Sequence, residues 1–173
     1  LAEAAANEIG ANAMLVRVGA LYHDIGKMVN PTYFTENQST GINPHDELSP
    51  KESAQIIINH VIDGIELAKK NNLPDRVIDF IRTHHGSSMV YYFYNKQVES
   101  NLAFDPSDFS YGGPKPFNKE TAILMMCDSV EAASKSLKDP NSTKINNFVD
   151  AIVSKQMDTE QFLNATITLK EIQ

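Results

Sequence analysis

Apolar residues return every three or four positions along most of this chain, and no stretch alternates cleanly between apolar and polar. The first spacing is that of an α-helix; the second would be that of a half-buried strand. The clearest stripe is Ala54, Ile57, Ile58, Val61, Ile65 and Ala68. Ser49-Pro50-Lys51-Glu52 opens it with a capping box and a proline at the first helical position. Ala2 to Ile9 is Ala-rich and stops at Gly10, and Asn12 caps a second helix carrying Leu15, Val18, Leu21, Tyr22 and Ile25. Pro74 starts a helix with Val77, Ile78 and Ile81 inward, ended by Gly86, and the aromatic stretch from Met89 to Tyr94 reads as helical. Asn118 caps a helix through Ala133, Ser142 caps one striped with Ile145, Phe148, Val149, Ile152 and Val153, and a last helix starts near Thr159. With three prolines each, Met28 to Pro50 reads as an ordered loop and Asn101 to Phe117 as a long loop of the kind that is functional or mobile. The fold class is therefore all-α.

The 173 residues suit one domain. The single Cys127 excludes an intrachain disulfide framework and a Cys-rich zinc site. The net charge of −7 argues against a nucleic-acid polymer or an anionic membrane as partner, because both need an excess of Lys and Arg. No unbroken apolar run passes six residues, far short of the roughly 20 that cross a bilayer. The sequence starts at Leu1 inside a helix-like stretch and stops on Ile172-Gln173, so it is expected to be one piece of a longer protein.

The chemistry-bearing residues sit on different helices. His23-Asp24 closes the second, His60 lies mid-helix, His84-His85 closes the fourth, and Asp128 lies in the helix after Asn118. Taken singly, each has a bland reading: His60, between Ile57 and Val61, fits a hydrogen-bonded core histidine, and a His-Asp pair can be a surface cap. Asp128 is harder to dismiss. Next to Ala122-Ile123-Leu124-Met125-Met126-Cys127, a carboxylate is costly to bury unless it is paired or metal-bound. Together the six form a mixed nitrogen and oxygen set without thiolate, which suits Mn, Fe, Ni, Co or Zn and disfavours Ca. They lie tens of residues apart, so only a helical bundle can bring them together.

His23-Asp24-Ile25-Gly26-Lys27, then His60, His84-His85-Gly86 and Asp128, resemble the HD superfamily of metal-dependent phosphohydrolases. Asn30 to Gln38, Asn43-Pro44-His45-Asp46 and Tyr91-Tyr92-Phe93-Tyr94 narrow the resemblance to the cytosolic HD domains of seven-transmembrane HD receptors, and it spans nearly the whole chain. The resemblance implies an HD-domain helical bundle over residues 1–173, cut from an integral protein of the bacterial inner membrane and facing the cytoplasm. It implies two divalent transition-metal ions, iron or manganese. Asp24 would bridge them. His23 and Asp128 would complete one, with a further histidine that the family carries upstream of Leu1, and His60, His84 and His85 would bind the other.

By the same resemblance, a metal-bridging hydroxide attacks phosphorus in line, expels the 3′ oxygen and turns cyclic di-AMP into linear pApA. Asp24 and Lys27 would be the catalytic residues, Lys27 by neutralising phosphate charge or protonating the leaving oxygen. Lys27, Asn37, His45 and Tyr91 are the expected substrate contacts, Tyr91 to Tyr94 being able either to stack adenine or to fill the core. The Asn101 to Phe117 loop is a candidate lid. The domain would meet a membrane only through segments outside this sequence, and a dimer is among its expected states. The alternatives are another HD nucleotide phosphohydrolase and a catalytically silent HD module for binding or signalling.

Overall fold

Each long helix starts where the sequence supplies an oxygen for its unpaired amides. Ser49 and Glu52 form the reciprocal capping box of α3 (Pro50–Lys70), and Asn118 caps α6 (Lys119–Ser134) by accepting from the Thr121 amide at 2.8 Å. Asn12 caps α2 (Ala13–Tyr22) through the Leu15 amide at 3.0 Å. The remaining helices are α1 (Ala2–Glu8), α4 (Asp75–Thr83), α5 (Tyr91–Glu99), α7 (Ser142–Asp158) and α8 (Leu169–Ile172). This computed structural model describes residues 1–38, 41–137 and 139–173. Among them there is no strand beyond an isolated antiparallel bridge between Met89 and Ser110, and no helix is long and apolar enough to cross a membrane.

Four apolar clusters hold the bundle. Ala2 and Ala6 of α1, Val16 of α2, Phe80 of α4 and Ile123 and Leu124 of α6 form the first. Ala68, Ile78 and Ile81 join α3 to α4, and Ala54, Phe93 and Phe109 join α3 to α5. Ala122, Met125 and Phe162 tie α6 to the C-terminal segment.

Several boundaries and faces differ from the sequence reading, each for a local reason. The second helix turns Val16 and Gly19 inward rather than Leu21 and Tyr22, which are exposed; Gly19 is needed there because the Phe80 ring lies flush against it. Ile25 belongs to a 3₁₀ turn, Ile25–Met28, and not to α2. Asn141, not Ser142, caps α7, its side chain accepting from the Lys144 amide at 2.9 Å while Ser142 is already helical. On α7, Ile145 is exposed. No helix starts at Thr159. The chain turns there through Glu160 at φ +57°, and α8 begins only after the Thr168 cap.

The described residues of the first long loop are ordered, as the sequence suggests, and the second is tied down more firmly than expected. The first winds through the 3₁₀ turns Pro31–Tyr33, Thr35–Asn37 and Pro44–Glu47. The second is fastened rather than lid-like. Phe109 and Tyr111 are buried, the Val90 amide donates to Phe109 O at 2.8 Å, the Tyr111 amide donates to Ser88 O at 2.9 Å, and Gln55 of α3 donates to Asp108 O at 2.6 Å.

Candidate metal centre

Tight helix endings place the donor atoms. His23 is the C-cap of α2, and Asp24 leads into the 3₁₀ turn. That turn lies against α3 with no room for a side chain: a Cβ on Gly26 would overlap the His60 carbonyl. The contact delivers Asp24 beside His60, which is buried in the middle of α3. His84 is the buried C-cap of α4. His85 follows it, and Gly86, at φ +51°, takes the left-handed turn that ends the segment. Asp128 reaches in from α6.

The six predicted ligands fall into two groups, His60 with His84 and His85, and His23 with Asp24 and Asp128. Within each group one donor atom per residue lies within 4.8 Å of the others. Asp24 joins the groups. Its Oδ2 is 3.3 Å from His23 Nε2, and its Oδ1 is 3.4 Å from His60 Nε2 and 3.6 Å from His84 Nε2.

The rings are locked from behind. His23 Nδ1 donates to Ala20 O at 2.9 Å, His60 Nδ1 to Ile57 O at 2.5 Å, and His84 Nδ1 to Ile81 O at 2.8 Å. A carbonyl only accepts, so each Nδ1 carries a hydrogen and each ring aims its Nε2 into the same space; on His23 that nitrogen is also protonated in the metal-free fold and faces the Asp24 and Asp128 carboxylates at 3.3 Å. This is the backing that metal-bound histidines receive. His60 Nε2 and His84 Nε2 stand 3.1 Å apart, and Asp24 Oδ1 is buried with no hydrogen-bond donor. Lone pairs converging at that distance repel unless a cation lies among them. The donor set therefore fits divalent metal, with nitrogen-rich coordination on one side and mixed coordination on the other.

The electrostatics agree. Burial by itself would depress the His23 imidazolium, but the Asp128 and Asp24 carboxylates outweigh it and hold its pKa at about 10. Burial would likewise raise Asp24, yet the rings of His23, His60 and His84 around it hold the carboxyl far below the usual range. Desolvation lowers His84, and lowers His85 well below an ordinary histidine, so both rings stay neutral and available as ligands.

Lys27 sits beside this centre. Its Nζ is 2.7 Å from Asp24 Oδ2 and 2.6 Å from Glu36 Oε1, and it lies over the Phe34 ring. Burial pulls its pKa down, but the two carboxylates raise it on balance. Tyr91 lines a cavity of about 680 Å³ that also opens on His84 and His85. His45 lies further off. Its Nε2 donates to Tyr33 O at 2.9 Å, and with Phe34 and Glu36 it lines a separate cavity of about 330 Å³. Asn37 is exposed and lines neither cavity.

The sequence reading passed over three neighbours. Tyr111 stacks on His85 with ring centres 4.2 Å apart, Phe34 packs edge-on to His60 at 5.7 Å, and Glu36 clamps Lys27. Glu36 and Phe34 lie inside the Asn30 to Gln38 segment that carried the resemblance. Tyr111 carried no periodic signal, because it sits in a loop.

The sequence and structure have clear relatives. The cyclic-di-AMP phosphodiesterase PgpH of Listeria monocytogenes is 48% identical over 172 residues, and that of Bacillus subtilis is 44% identical. Each alignment covers 99% of this chain and 24% of the relative, so the chain spans about a quarter of the length of these relatives. The crystal structure of the L. monocytogenes PgpH HD domain superposes with a TM-score of 0.92 at 47% identity. The same domain in complex with cyclic-di-AMP superposes with a TM-score of 0.95 at 48% identity. Both superpositions cover 99% of this chain and 80% of the crystallised one. The HD domain profile itself matches residues 1–133, taking in every residue that converges on Asp24, and the chain belongs to the HD domain family.

Proposed function

We propose that this domain opens cyclic di-AMP to linear pApA as a metal-dependent phosphodiesterase. The observation that carries the reading is the buried, donorless Asp24 Oδ1 between the Nε2 atoms of His60 and His84, with Oδ2 of the same carboxylate facing His23. One carboxylate thus faces both ligand groups. His60, His84 and His85 would hold one cation and His23 with Asp128 the other, Asp24 serving both; iron or manganese suits such a set. The relatedness to PgpH, crystallised with cyclic-di-AMP, supports the choice of substrate.

Divalent cations held there activate water and neutralise a phosphodiester. The protein's own part is orientation and charge. The carbonyls of Ala20, Ile57 and Ile81 fix the rings before substrate arrives. Lys27, kept protonated by Asp24 and Glu36, suits the role of a fixed cation beside the phosphate better than that of a proton donor, because a raised pKa makes a weak acid. The domain belongs, on this reading, to a longer protein of the bacterial inner membrane and faces the cytoplasm. The resemblance to seven-transmembrane HD receptors and the quarter-length match to PgpH support that placement.

Loaded with Mn²⁺ or Fe²⁺, the protein is expected to convert cyclic di-AMP to pApA faster than it hydrolyses cyclic di-GMP or nucleoside mono- and triphosphates, as followed by chromatography. Faster attack on the mononucleotides would make it another HD nucleotide phosphohydrolase. No turnover at full metal occupancy would make it a silent binding module.

A further inference from the structure

A cyclic dinucleotide carries two phosphates, and a metal pair at the centre neutralises one. The nearest lysine is already committed, since Lys27 is clamped between Asp24 and Glu36 at 2.7 and 2.6 Å. The cavity of about 680 Å³ that starts at His84 and His85 offers another cation, Lys155 of α7. Apart from those two histidines, it is the only ionic side chain on the cavity wall among the described residues. Its ammonium lies 5.6 Å from the centre of the Tyr91 ring and has no ion-pair partner among the described residues. Hydroxyls line the same cavity. Ser129 Oγ accepts from Gln156 Nε2 at 2.8 Å, which leaves its hydrogen free to point elsewhere, and Ser88 and Ser110 also line the cavity. Met89, Phe148 and Ile152 add apolar surface against which a base can lie. A volume in this range suits a small-molecule site.

We infer that this cavity is a second subsite, in which Lys155 and the neighbouring serine hydroxyls hold the phosphate that is not cleaved. The inference rests on the phosphodiesterase reading and names the part of the site that recognises a dinucleotide rather than a mononucleotide. In a protein of net negative charge, a lone lysine on a largely apolar cavity wall adds attraction only for an anion placed there. Cleavage leaves the attacked phosphate on a 5′ oxygen, so in pApA the terminal phosphate belongs at the metals and the internal one beside Lys155. AMP can reach the metals alone.

Equilibrium binding of pApA and of AMP to the metal-loaded domain, measured by calorimetry, tests this without turnover. Lys155→Met is expected to weaken pApA about tenfold, the scale of one charge-assisted contact, and AMP by a clearly smaller factor. It should also flatten the salt dependence of pApA binding, and Lys155→Arg should restore both. Equal losses for the two ligands, no loss, or no binding of pApA by the unaltered protein would each overturn the subsite. A selective loss in a protein that does not hydrolyse cyclic di-AMP would leave the subsite standing and remove the phosphodiesterase reading instead.

Discussion

Asp24 concentrates the tension of this molecule in one side chain. A carboxylate packed among three imidazoles is stable only if positive charge is shared with it, from a His23 proton or from a cation. Asp24→Asn keeps the shape and removes the charge. It is expected to strip metal from both groups and cut turnover beyond the roughly 10–100-fold seen when a residue merely supports a ligand. Elemental analysis and initial rates check this together, and retained metal with an unchanged rate would refute the bridging role.

His23 makes the competition between proton and cation visible. Its pKa of about 10 in the metal-free fold lies above the ordinary 6.5. In the metal-free protein its contribution to stability is therefore complete below pH 6.5 and fades as the pH climbs through about 10. A cation at this group must displace the proton, so metal affinity should rise with pH across that window. Calorimetry at pH 8 in buffers of different ionisation enthalpy should show net proton release on metal binding. No release would mean that His23 is not a ligand.

At the scale of elements, the site depends on two chains of backbone passing closer than side chains allow. Gly26→Ala places a methyl on the His60 carbonyl, and the turn must move away from α3. Overpacking of this kind costs about 1–3 kcal/mol. The melting temperature of the metal-free protein should drop by several degrees, with loss of metal affinity as the sign that Asp24 has left His60. A variant that melts and binds metal like the parent would show that the contact is not what positions Asp24. The sequence made the helices legible because caps and periodicity are local: the Ser49 box and the Asn118 cap stand where they were expected. It misplaced Leu21 because which face of α2 turns inward depends on Phe80, a residue of another helix.

For the whole molecule, metal binding and folding are one equilibrium. Four helices carry the ligands, so cations that bind only the folded state should stabilise it by about 2.7 kcal/mol at a hundredfold excess over Kd. Chelation should lower the melting temperature by several degrees, and re-addition of Mn²⁺ should restore it. A melting curve indifferent to chelator would separate the cluster of histidines from any metal.

The residue types, their order and the helices that bear them were written in the chain, because capping, periodicity and ligand chemistry are properties of a residue and its close neighbours. That Asp24 faces both groups, that Glu36 clamps Lys27, that Tyr111 stacks on His85, and that Lys155 lines the cavity opening on the histidines were decided only by packing. Most of those contacts join segments far apart in sequence, and side-chain volumes on several helices at once determine which atoms meet.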